Sequence, residues 1–195
     1  MPQILAAALE EFAKHGYAGS RMVSVAQRAG VAKGLIYHYF PSKEALFGAV
    51  MHASIGPTFD AAERRLAMPG GTARETLIGL IGLGFARAAA EPREQALFRL
   101  ILGEAHRFPE LARLYEREVL SPAREVVRRV LRAGVAAGEF RPEVAEMEGL
   151  AEVLMAPPIM VSVWRMVLGD AAPAPEAVQQ AQLDVLLAGL ARPSG

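Results

Sequence analysis

Apolar residues return at helical spacing from the start of the chain. Ile4, Leu5, Ala8, Leu9, Phe12 and Ala13 predict a first helix to about Lys14, with Pro2 tolerated in its first turn. Val25, Ala26 and Ala29 mark one face of a short helix, and at Gly30 a left-handed or tightly turned backbone costs least. Val31, Leu35 and Ile36 then resume an i, i+4, i+5 pattern. That leaves Lys33, Gly34, Tyr37, His38 and Tyr39 largely on the other faces of a second short helix. Phe40 and Pro41 end it, and Ser42 is a good N-cap for the next helix, with Glu44 in its first turn facing the positive end of the helix dipole.

The remainder also carries the helical period. Ala45, Leu46, Val50 and Ala53, then Phe59, Ala62 and Leu66, predict one helix interrupted near Gly56-Pro57, and Pro69-Gly70-Gly71 breaks the pattern. Thr72 can cap a helix over 73–90, with Leu77, Leu80, Ile81, Gly84 and Phe85 apolar and Glu91-Pro92 closing it. Phe98, Leu100, Ile101 and Leu102 dominate a helix from about Arg93 to His106. Leu111, Leu114, Val119, Val126, Val127, Val130 and Leu131 carry the next from Phe108-Pro109 to about Ala137, with a bend at Ser121-Pro122. Gly138 is a C-cap candidate, and Arg141-Pro142-Glu143 opens a helix to about Leu168 that Pro157-Pro158 should kink or split. After a loop over 171–175, the last helix runs from Glu176 to about Leu190. The expected fold class is therefore all-α.

Composition narrows the function classes. A chain of 195 residues, 52% hydrophobic and 22% charged, with no cysteine, can bury a sizeable core without a disulfide framework, which points to an intracellular, cytoplasmic setting. The formal charge is zero, so the molecule is no polycation. Over residues 1–52 five Lys/Arg stand against three Glu, 5 − 3 = +2, a modest excess that a dimer would double. No signal peptide is expected, and the apolar runs Leu77 to Ala86 and Val153 to Trp164 are cut by Arg87 and Arg165 before the roughly 18 residues of a membrane span. No nucleophile–base pair, zinc signature or phosphate loop stands out, so no catalytic residues, cofactor or metal are expected. Gly79, Gly82 and Gly84 lack the dinucleotide-loop spacing and read as close helix packing, and Glu104 with His106 lacks a third metal ligand.

Two short helices joined by a glycine-containing turn of three to four residues are the arrangement that places a second helix in the DNA major groove. The motif residues here are Gly16-Tyr17, Ser20, Val25-Ala26, Ala29-Gly30-Val31, Lys33-Gly34, Ile36-Tyr37-His38-Tyr39-Phe40, Ser42-Lys43-Glu44 and Leu46. At this spacing the segment resembles the DNA-binding domain of the TetR family of one-component transcriptional regulators. Phe108-Pro109-Glu110-Leu111-Ala112 and Gly138-Glu139-Phe140-Arg141 resemble a common variant of that family's regulatory domain. The resemblance implies a three-helix helix-turn-helix domain over 1–48 and a helical ligand-binding and dimerisation domain over 49–195. Three departures stand out: Ala32 where the family usually has Ser, Leu35 where it often has Thr or Ser, and almost no basic arm before the first helix.

Candidate DNA contacts are Ser20 and Arg21 at the start of the first short helix, Lys33, Gly34, Leu35, Tyr37, His38 and Tyr39 on the second, and Lys43 as a phosphate anchor. Leu35 can meet a thymine methyl. Candidate effector-pocket residues are Phe85, Phe98, Leu102, His106, Met155, Met160 and Trp164, bulky and adaptable side chains that suit an apolar or amphipathic molecule. The apolar load of the last two helices is hard to bury in one chain of this size, and a homodimer formed through them would bury it while presenting two reading helices to double-stranded operator DNA. The expected function is a ligand-responsive repressor. An activator, or a helical small-molecule binding or enzymatic protein whose N-terminal domain serves another role, is the alternative.

Overall fold

A computed structural model describes residues 1–68, 70–90 and 95–191, the side chains of 62 and 66 excepted. The expectations placed on Pro69, on Glu91-Pro92 and on a helix start at Arg93 lie outside these residues. In chain order the elements are α1 (Pro2–Gly19), α2 (Met22–Arg28), α3 (Lys33–Tyr39), α4 (Lys43–Leu66), α5 (Ala73–Ala89), α6 (Ala96–Glu104), α7 (Pro109–Tyr115), a π-helical turn (Glu116–Leu120), α8 (Ser121–Ala136), a 3-10 turn (Pro142–Glu146), α9 (Leu150–Leu168), a second 3-10 turn (Gly169–Ala171) and α10 (Pro175–Leu190). The fold class is all-α; among the described residues the extended pairing amounts to an isolated bridge, Phe140 to Ala191.

Two compact units form, one from Met1–Pro57 with Glu91–Pro122, the other from Thr58–Ala90 with Ala123–Gly195. The core of the first unit gathers Phe12, Tyr17, Val25, Ile36, Leu46 and Phe47 with Leu97, Leu100, Ile101, Leu111 and Leu114. Three aromatics lock its centre: the Phe47 ring meets Phe12 edge-on at 5.0 Å and Tyr17 at 5.5 Å between centroids. α2 and α3 therefore belong to a core that α6 and α7 also enter, α6 packing on α1, and this unit extends beyond residues 1–48. The second unit is built around Leu77, Ile81, Phe85, Val130, Leu131, Phe140, Leu154 and Val161. There Gly84 admits Pro158, whose Cγ would lie 3.1 Å from a Cβ at that position, and Gly134 admits the Phe140 ring, whose Cδ2 would lie 2.1 Å away.

Local chemistry explains where the helices start and stop. Thr72 Oγ1 accepts the Glu75 N–H at 3.0 Å while Glu75 Oε2 accepts the Thr72 N–H at 3.2 Å, a reciprocal capping box on α5. Ser42 Oγ accepts the Ala45 N–H at 3.0 Å at the start of α4. Gly138, at φ +77°, ends α8 as expected, and Glu139 N–H closes back on the Gly134 carbonyl at 2.8 Å.

The prolines do not divide their helices. α4 runs unbroken through Pro57, and α9 contains Pro157 and Pro158 without splitting. Within α9, Ser162 Oγ donates to the Pro158 carbonyl at 3.2 Å, so part of the ladder is supplemented by a side chain. Just ahead of Ser121-Pro122 the helix widens into the π turn Glu116–Leu120, a place where the missing N–H is more easily accommodated. The helix expected from Arg141 is instead the short 3-10 turn Pro142–Glu146, and α9 begins only at Leu150. Gly149, at φ +76°, separates the two with a left-handed residue that a continuous helix cannot contain. The stretch Leu150–Ala171 is, by length and composition, apolar enough to cross a membrane, because its average outweighs the charges at Glu152 and Arg165 that interrupt the run. Leu150, Ala151, Leu154 and Val161 on this helix belong to the core of the second unit.

Candidate nucleic-acid interface

The turn between α2 and α3 is closed by main-chain bonds. Ala29 N–H reaches Val25 O at 2.9 Å, Gly30 N–H reaches Gln27 O at 3.2 Å and Val31 N–H reaches Ala26 O at 3.0 Å, with Gly30 left-handed at φ +66°. On α3 only Ile36 is buried, fully so, and it plugs the helix into Val25, Ala26 and Phe40 below. Every other residue of that helix is presented outward: Lys33, Gly34 and His38 are exposed, and Leu35, Tyr37 and Tyr39 keep 40%, 43% and 48% of their surface accessible. Leu35 thus does not pack in the core, although its spacing from Val31 allowed that reading. Gly34 has nothing within 4 Å of where a Cβ would stand, so packing gives no reason for glycine there. In the first turn of α3, a glycine leaves room for close backbone approach to a phosphate.

α2 has no side-chain N-cap of its own. Its substitute is Glu11, a carboxylate only 3% exposed, which takes the Arg21 N–H and Arg28 Nη2, each at 3.4 Å. Arg28 also reaches Glu10 at 3.5 Å, so its guanidinium is tied to α1. Glu11 was counted in the sequence only as charge. It lies at i+7 from Ile4 on the buried stripe of α1, the one signal that could have singled it out.

Ser20 and Lys43 turn inward. Ser20 Oγ donates to Gly16 O at 2.5 Å and to Glu11 O at 3.1 Å, and the residue is buried. Lys43 Nζ donates to the carbonyls of Tyr17 at 2.5 Å, Ala18 at 3.4 Å and Ser20 at 3.3 Å, and sits 4.5 Å from the centroid of the Tyr17 ring. Burial pulls the Lys43 pKa below its ordinary value, with Glu104 and Glu110 opposing the shift. The Tyr17 phenol is pushed from 10.0 up to about 12 by burial, with Glu110 and Glu44 adding to the effect. The exposed face of α3 together with the exposed side chain of Arg21 is left as the surface a duplex would meet.

The seven candidate effector residues fall in both units. Phe98, Leu102 and His106 are in the first, where Phe98 lies 6.3 Å from the Tyr115 ring, and Leu102 and His106 are exposed. Phe85, Met155, Met160 and Trp164 are in the second, where Phe85 is core, Met155 and Trp164 pack against it, and Met160 is 39% exposed. A cavity of about 290 Å³ in the second unit, lined by Arg65, Thr76, Gly79, Leu80 and Leu83 among others, includes none of the seven. In the sequence its Gly79 and Gly82 read as close helix packing rather than as pocket lining. An open groove of about 720 Å³ in the first unit is lined by Lys14, Arg28, Arg99, Leu100 and Glu104 among others.

Residues 4–50 match the family model described as bacterial regulatory proteins, tetR family, and residues 67–185, more than half of the chain, match the tetracyclin repressor-like C-terminal domain. The HTH-type transcriptional regulator RutR of Escherichia coli K12 is 50% identical over 48 residues, 25% of this chain and 23% of RutR, so the chain spans about a quarter of that relative's length. The fatty acid metabolism regulator protein of Bacillus subtilis 168 is 29% identical over 139 residues, 71% of this chain and 70% of that protein. Among solved structures, a TetR-family transcriptional regulator from Mesorhizobium loti MAFF303099 superposes with a TM-score of 0.76 at 22% identity, covering 98% of this chain and 96% of that one. FadR from Bacillus subtilis in complex with stearoyl-CoA superposes at 0.71 with 24% identity, covering 97% and 98%.

Proposed function

The chain belongs to the TetR family of bacterial regulatory proteins, and from that premise we propose that it is a cytoplasmic, non-catalytic repressor, released from its operator when a small apolar or amphipathic molecule binds. The observation that carries this reading is α3, a helix anchored by Ile36 alone with all its other side chains turned out. Lys33, Leu35, Tyr37, His38 and Tyr39 would meet bases and phosphates, Gly34 would let the backbone approach, and Arg21 would hold a phosphate at the start of α2. Ser20 and Lys43 would serve the same interface by fixing the link between α1 and α2. Residues 1–48 are then the DNA-reading part, and residues 49–195 hold effector and dimer functions.

A homodimer through α9 and α10 is supported by their exposed apolar residues, among them Val153, Val167, Leu168 and Val185 at 63%, 74%, 49% and 77% accessible. Two-fold pairing would set two copies of α3 about one DNA turn, roughly 34–36 Å, apart. The effector class is supported by the Phe85, Met155 and Trp164 cluster and by the fatty-acid regulator among the relatives, whose B. subtilis structural counterpart holds stearoyl-CoA. The mechanism is a population shift: effector binding favours a geometry in which the two copies of α3 no longer match successive major grooves.

Fluorescence anisotropy with duplexes enriched by the protein from a random-sequence pool tests the reading. Binding should be tight, salt-dependent and dimeric, and weakened by stearoyl-CoA or a shorter acyl thioester. A monomer that enriches no duplex would refute it.

A further inference from the structure

Glu104 is the last residue of α6, and both its oxygens are engaged by main chain. Oε1 accepts the Tyr17 N–H at 3.0 Å and Oε2 the Ala18 N–H at 3.2 Å. These two amides follow Gly16, where φ of 67° and ψ of 178° break the helical path of α1. A Cβ on Gly16 would stand 2.4 Å from the same Oε1, so a side chain there would have to displace the carboxylate as well as adopt a left-handed backbone conformation. The same short link is gripped through its carbonyls, at Tyr17, Ala18 and Ser20, by the Lys43 ammonium. One carboxylate holds the N–H groups of the α1–α2 link and one ammonium holds its C=O groups.

We propose that Glu104 is a positioning residue for DNA recognition, fixing through the Gly16–Ala18 turn the direction in which α2 and α3 leave α1. The inference rests on reading α3 as the helix that meets DNA. A link holding Gly16 and Gly19 has many accessible directions when free, whereas a reading helix must be held within about 0.5 Å and 10–20° of its productive pose. α6 supplies the restraint from 86 residues away in sequence, which is why no local motif announces it.

The sign of the effect separates this role from that of a bystander. Removing a bystander carboxylate from a DNA-binding unit lessens repulsion of phosphates and tightens binding, whereas removing a positioning carboxylate weakens it. The test uses the full-length chain and a fluorescein-labelled duplex enriched by the wild type. E104A should raise Kd about 10-fold and E104Q, which keeps one acceptor oxygen and the side-chain volume, about 3-fold, each with an unchanged slope of log K against log salt because no phosphate contact is lost. Amide NMR signals of Tyr17 and Ala18 should move in both variants. Kd at or below the wild-type value in E104Q, with those signals moved, overturns the proposal even if E104A fails to fold. Failure of the wild type to enrich any duplex overturns the reading of α3 and this proposal with it.

Discussion

Replacing Lys43 with methionine keeps a long unbranched side chain and deletes the ammonium, and its consequence can be worked out from the contacts. The bond to Tyr17 O at 2.5 Å is short and charge-assisted, worth about 1.5–3 kcal/mol. A cation at a helix C-terminus adds about 0.3–1 kcal/mol, and the ring of Tyr17 below it about 0.5–1 kcal/mol. The contacts to Ala18 O at 3.4 Å and Ser20 O at 3.3 Å are long and contribute little. Against these gains stands the burial that lowers the Lys43 pKa. The side chain is only half-buried, so solvent screens the sum, and a net loss of about 1–3 kcal/mol is expected for K43M. Urea denaturation reads it as a lower midpoint at unchanged m-value. The same variant discriminates a phosphate anchor from a structural tie. A phosphate neutralised by Lys43 contributes about 0.9 to the slope of log K against log salt, hence about 1.8 for a dimer. The structure predicts a clear stability loss with a slope change well under that figure. A wild-type midpoint combined with the full loss of slope would refute the reasoning.

Other expectations follow from single features. T72A removes half of the capping box on α5 and should lower stability by about 1 kcal/mol, read in the urea midpoint with operator Kd unchanged. Tyr17, whose phenol is raised from 10.0 to about 12, retains its proton longer in the folded chain than in the unfolded one. Its stability contribution is complete below pH 10 and is lost as the pH rises towards 12. Y17F should flatten that alkaline decline relative to wild type, even though the lowered pKa of Lys43 adds a slope of opposite sign to both proteins. Placing a charge on the exposed apolar residues of α9 and α10, as V167E with V185E, should shift the chain from dimer to monomer in analytical ultracentrifugation and lower operator affinity at least 10-fold through loss of the paired half-sites.

The helix-turn-helix was legible because its signals are local. Gly30 closes one helix and Phe40-Pro41 the next, while of the apolar residues Leu35 and Ile36 on α3 only Ile36 is buried. Thr72, Ser42 and Gly138 were readable for the same reason, since each cap acts within three or four residues. What escaped is what depends on distant chain. Glu104 reaches Tyr17 and Ala18, and Lys43 reaches back to Tyr17, Ala18 and Ser20, across separations that no periodicity encodes. Pro57, Pro157 and Pro158 stay inside continuous helices because their cost is local, whereas the packing that retains the helix is not. Gly149 was overlooked because the flanking apolar spacing masks a left-handed residue.

The shared core of the first unit has a practical consequence for protein engineering. Leu97, Leu100, Ile101, Leu111 and Leu114 share one core with Phe12, Ile36 and Phe47, yet the gene encodes them more than forty codons after the helix-turn-helix. A chimera spliced after residue 48 or 57 would carry α3 without the leucines that complete its core, and the uncovered Phe12 and Phe47 would invite aggregation. The compact unit is discontinuous, 1–57 together with 91–122, so a transplant that keeps this core has to carry both segments.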